Sequence, residues 1–204
     1  MRWLDLLWPP RPPIADVAAL STFIDEQAAF LVQKGIYEYA RARAGHYAKV
    51  LFAERPFIEL VEKSRWQAYP LGLAMVGELV EGVLRPNAGE DRHAVLDSLI
   101  GIVLTVFDRY PVPAPIGPDN WRAARDHLAQ RLRAVSLHPP KPAKDIPEPF
   151  VERYFALLPI HEKLRASDFP TMRNYLKVTL CNIHDELSAR ADVRGLVAAL
   201  SRGG

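Results

Sequence analysis

The apolar residues of this chain recur at helical spacing almost throughout, and no stretch alternates in the manner of a strand. After Asp16, a candidate N-cap, Val17, Leu20, Ile24, Ala28 and Leu31 share one stripe. That stripe predicts a helix running to about Ala44, with Gly45 as its stop. A short piece over 47–54 precedes Pro56, which opens a helix with Phe57, Leu60 and Val61 inward and Glu59 and Lys63 outward. Pro70 starts or kinks the next helix, which ends before Pro86. Its core face is Leu73, Val76, Leu79, Val80 and Val83, and Glu78, Glu81 and Arg85 share the other side. Gly72, Gly77 and Gly82 inside it imply either a close helix approach or a kink.

Residues 90–110 are apolar nearly all round, which places this helix at the centre of a bundle. Further helices are predicted over 119–136, over 150–165 with a kink near Pro159, and over 170–190, with a last short turn over 193–200. Prolines cluster in 110–118 and again in 138–149. The expected architecture is an all-α helical bundle of six to eight helices with proline-rich connections. It divides into a main bundle over 1–138, a linker over 139–149, and a C-terminal helical hairpin over 150–204 that packs on the bundle.

Composition narrows the class. Of 204 residues 49% are hydrophobic, too many for a disordered chain, and 26 basic side chains nearly balance 24 acidic ones. The single cysteine makes no internal disulfide. Asp5 interrupts the N-terminal apolar run and Pro9 ends it, which argues against a secretory signal. No stretch approaches the roughly 20 apolar residues of a spanning helix, so no membrane partner is expected and the cytoplasm is the expected compartment.

Candidate chemistry is sparse. Cys181 and His184 stand at i,i+3 on the last long helix, with His161 the nearest further candidate ligand; the usual fate of a lone cysteine is burial as a small hydrophobe, so neither metal nor cofactor is expected. Glu90 and His93 have the E-x-x-H spacing of di-iron bundles, but a second copy is absent and Glu90 suits a helix start. Asp97, Gly101, Thr105 and Asp108 form a polar stripe on the 90–110 helix, either a functional acid or the edge that meets water. Tyr37, Glu38, Arg41 and their neighbours through Tyr47 make an aromatic–basic cluster. Such a cluster suits an interface, or a pocket shared with Glu78, Glu81 and Asp97. There is no nucleophile elbow, phosphate loop, dinucleotide fingerprint or H-E-x-x-H, so enzymatic activity has no motif behind it.

Charge is uneven along the chain: residues 119–144 carry six basic side chains and two acidic ones. Arg122, Arg125 and Arg133 would be the patch for nucleic acid, but the excess is small and Asp126 sits within it, so nucleic acid is an unlikely partner. Trp3, Leu7 and Trp8 precede a stiff proline segment and favour docking between subunits. The leading expectation is self-association, as a homodimer, or another protein–protein interaction. The alternative is a small-molecule- or metal-binding bundle, possibly enzymatic.

Overall fold

The computed structural model describes residues 11–203, and no strand occurs among them. The helices are α1 (Val17–Val32), α2 (Tyr39–Ala44), α3 (Ala48–Leu51), α4 (Arg55–Ala88), α5 (Arg92–Asp108), α6 (Pro118–Ala134), α7 (Val151–Ala156), α8 (Glu162–Arg165), α9 (Phe169–Arg190) and α10 (Val193–Arg202). Six of them have ten residues or more, and together they form the expected all-α bundle. None is long and apolar enough to cross a membrane.

The centre of the bundle is α4, not α5. It runs unbroken for 34 residues, about 50 Å, through both Pro70 and Pro86, where the sequence predicts separate helices. Each internal proline removes one helical hydrogen bond, a local cost of about 3 kcal/mol. Burial offsets it, because every residue from Ala68 to Glu81 is buried, with α1, α5, α6, α9 and α10 packed around. A Cβ on Gly72 would stand 3.2 Å from the Ala28 carbonyl of α1, so that crossing needs glycine. On α5, by contrast, Asp97, Gly101, Thr105 and Asp108 are all exposed: the polar stripe is the edge that meets water.

Asp16 caps α1 through a 2.7 Å bond from the Ala19 N–H. The helical run then continues to Ala44, but its middle, Gln33–Glu38, is wound as a π-helix. The hydroxyls of Tyr154 (3.1 Å) and Tyr175 (2.9 Å) both donate to the Leu31 carbonyl beside this wider turn. Tyr154 is fully buried and lies so close to Gly35 that a Cβ there would fall 2.4 Å from its hydroxyl oxygen. Burial raises the pKa of both tyrosines, Tyr175 to about 12, so both stay protonated donors. Gly45 ends the run with φ 53°, a conformation that disfavours a side chain.

One hydrophobic core holds side chains from α1 through α10, so the part after the proline-rich linker shares the core of the part before it. Within that later part α7 packs on α9, while α10 lies on α5 and α4. The N-terminal strap also docks on its own chain. Ile14, buried, bridges Ala191 in parallel, with Ile14 N–H donating to Arg190 O (2.9 Å) and Asp192 N–H to Ile14 O (3.0 Å). Arg11 and Arg190 both pair with Glu186. Burial works against ionising Glu186, but these two guanidiniums hold it below the usual carboxylate range. Trp3, Leu7 and Trp8 lie outside the described residues.

Candidate functional site

Two places gather the side chains singled out by sequence: a lobe over 41–60 and a charged seam on the far half of α4. The lobe begins where α2 is pinned to the start of α9. Tyr39 donates to Asp168 (2.6 Å), Arg43 Nε lies 2.9 Å from the same carboxylate, and Arg43 also reaches the Leu164 carbonyl. Burial, then the hydrogen bond and charge of Asp168, push the Tyr39 pKa up, so its hydroxyl stays a donor. Past this anchor the chain leaves the core. Between Arg41 and Leu60 only Ala44 is buried. An edge-to-face aromatic chain, Tyr37–Phe52–Phe57 with centroids 5.0 and 5.1 Å apart, braces α3 against the start of α4.

The lobe also shows large apolar side chains to solvent. Tyr47 is 61% exposed and Val50 59%, and Ile58 and Leu60 are exposed on the first turns of α4, Leu60 bordering residues 156–161. Leu164 of α8 lies exposed next to α2. These are half of the ten exposed large hydrophobics among the described residues, and scattered single ones would need no explanation. The charge around them is mixed: Arg41 and Lys49 are exposed on the α2–α3 side, while Glu54, Glu62, Lys63 and the Arg55–Glu59 pair (2.8 Å) are exposed at the start of α4.

The seam contains the two glutamates proposed for a pocket. Glu78 and Glu81 are 3% and 4% exposed, and both are met by cations. Glu81 takes a bidentate grip from Arg85, one turn on, with bonds of 2.5 and 2.7 Å. The same guanidinium donates to the carbonyls of His138 (2.6 Å) and Val135 (2.9 Å). Glu78 pairs with Arg131 of α6 (3.1 Å) and with Lys141 (2.7 Å). The seam therefore fastens α6 and the proline-rich segment after it to α4. Unpaired, such carboxylates would cost several kcal/mol each to bury.

The shared pocket expected of Tyr37, Glu38 and Arg41 with Glu78, Glu81 and Asp97 does not form. Tyr37 and Glu38 end the π-wound turn and Arg41 opens the lobe, the glutamates are closed in the seam, and Asp97 is exposed on α5; no main cavity joins them. The basic patch is also largely neutralised: Arg122 pairs with Asp119 at 3.4 Å, and Arg125 grips Asp108 at 2.7 and 2.8 Å, while Arg133 is exposed. His161 caps α8, its Nδ1 accepting from Lys163 N–H at 3.3 Å, and half-buried Cys181 has only His184 and Asp185 near it in sequence. Among the described residues no group of three His, Cys, Asp or Glu side chains could hold a metal ion. Sequence reasoning missed the cations opposite Glu78, since Arg131 and Lys141 lie more than fifty positions away. Only the Glu81–Arg85 spacing was a local signal. No family model, curated protein or solved structure matches this chain.

Proposed function

We propose that this protein works by self-association, forming a homodimer through the lobe of residues 41–60. The observation that carries the reading is a twenty-residue excursion with one buried side chain and an apolar tip. Leaving Tyr47, Val50, Ile58 and Leu60 in water forgoes about 25 cal/mol for each Å² that a partner would cover. A second copy suits the face because an apolar surface is self-complementary about a two-fold axis, with Arg41 and Lys49 of one chain free to meet Glu54 and Glu62 of the other. We take the compartment to be the cytoplasm, which the lone thiol Cys181 supports.

The test is the mass in solution of the full-length protein and of Val50→Asp and Ile58→Asp, by sedimentation and native mass spectrometry. Both positions are exposed, so the variants keep the wild-type melting temperature. A wild-type dimer that either variant converts to monomer supports the reading. A wild-type monomer at high micromolar concentration overturns it. So does a dimer that ignores both variants and falls apart when residues 1–10 are removed, because that interface belongs to the N-terminal arm.

A further inference from the structure

A cleft beside α4 is lined without a single acidic residue. It lies between α4, α6 and the turn entering α7, and encloses about 420 Å³, within the roughly 300–1,000 Å³ of small-molecule sites. Pro70, Leu71 and Ala74 of α4 form its floor, Leu128 of α6 one wall, and Phe150 the other. Pro70 gives the floor the apolar surface of its ring. Every ionisable side chain in the lining is basic or imidazole: His127 and Arg131 from α6, and Arg153 from α7.

Arg131 is held ready. Its guanidinium carbon sits 4.9 Å over the centre of the Phe150 ring, and one end donates to Glu78. That carboxylate is shared with Lys141, so two cations divide one buried negative charge and Arg131 is incompletely neutralised. Its Nε is buried and has no hydrogen-bond partner, an unmet donor on a guanidinium that borders a cavity. Arg153 and His127 make no ion pair or hydrogen bond to any side chain among the described residues. Arg125 of this same helix α6, by contrast, is taken up by Asp108 of α5.

We propose that this cleft binds a small amphipathic oxyanion, a carboxylate or phosphate monoester on an apolar body. The anion is gripped between Arg131 and Arg153, and the apolar part lies on Pro70, Leu71, Ala74 and Phe150. The site is independent of the lobe, so the two readings stand or fall separately.

Isothermal titration of the full-length protein with octanoate, octyl phosphate and octylammonium tests it. The expected result is saturable one-to-one binding of at least one anion and none of the cation. Octanoate and octyl phosphate separate the two headgroups. Arg153→Gln, an exposed position outside every ion pair, weakens that binding about tenfold, the value of one charge-assisted hydrogen bond. Ala124→Phe, which fills the cleft from α6, abolishes it. Val50→Asp in the lobe leaves it unchanged. Arg131 is unsuited to deletion because Glu78 would lose a partner. Equal binding of octylammonium, affinity indifferent to both Arg153→Gln and Ala124→Phe, or no binding of either anion at millimolar concentration would each overturn the proposal.

Discussion

Replacing Gly35 by alanine isolates the tightest contact in the fold. On ordinary helix propensity the change stabilises by about 1 kcal/mol. Here the new methyl falls 2.4 Å from the Tyr154 hydroxyl and 2.9 Å from a ring carbon of Tyr175, inside van der Waals contact with both. Tyr154 cannot swing clear, because its ring is fully buried and its hydroxyl is tied to the Leu31 carbonyl. Overpacking of this kind costs about 1–3 kcal/mol, and a buried hydroxyl pushed off its acceptor about 1–3 kcal/mol more. After subtracting the propensity gain, Gly35→Ala destabilises by about 1–5 kcal/mol, which lowers the melting temperature by roughly 2–20 °C at this chain length. Urea unfolding of four proteins completes the argument: wild type, Gly35→Ala, Tyr154→Phe and the double variant. Tyr154→Phe alone costs about 1 kcal/mol, since Tyr175 still donates to Leu31. In the double variant the methyl meets no hydroxyl, so its loss is smaller than the sum of the singles by about 1 kcal/mol or more. Gly35→Ala at or above wild-type stability would refute the reasoning, and strict additivity would place the strain elsewhere.

Glu81→Ala leaves Arg85 buried without its carboxylate and destabilises by about 3–5 kcal/mol in urea unfolding, whereas Glu81→Leu with Arg85→Met recovers most of the loss; a single variant as stable as wild type would mean that the pair contributes nothing. The strap is sensitive to acid. Glu186 has a folded-state pKa below its unfolded value of about 4.3, so its contribution is complete above that pH and disappears as pH falls through the lower folded value. Amide-exchange protection at Ile14 and Asp192, compared between neutral pH and pH 3, reads this directly; Glu186→Gln abolishes the dependence, and an identical profile in that variant would assign it to another group.

Local signals in the sequence proved legible where the physics is local. The Asp16 cap, the Gly45 stop and the break near Pro159 each follow from neighbours within a turn. The centre of the bundle was not legible, because α4 contradicts its own local rules. Its prolines read as breaks, its glycines as a close approach or a kink, and Glu78 and Glu81 as lying on the side away from the core. All become compatible with burial only through groups from elsewhere: the Ala28 backbone against Gly72, and Arg131 and Lys141 against Glu78. Asp97 erred in the other direction, an exposed acid on a helix whose composition suggested enclosure. The π-wound turn had no sequence signature either, since it depends on two tyrosines more than a hundred residues downstream. The lobe was half visible. Its aromatic–basic composition pointed to an interface, but only the fold shows that none of the described residues covers it.

The Ile14–Ala191 bridge sets an order on biosynthesis. The strap leaves the ribosome about 175 residues ahead of its binding place, the end of α9. Until α9 has emerged α1 therefore lacks the lock at its N-terminal entrance, and Ile14 has no Ala191 to bridge. A stalled or truncated product ending before residue 190 would carry an unlatched first helix, giving quality-control proteases a handle that the finished molecule conceals.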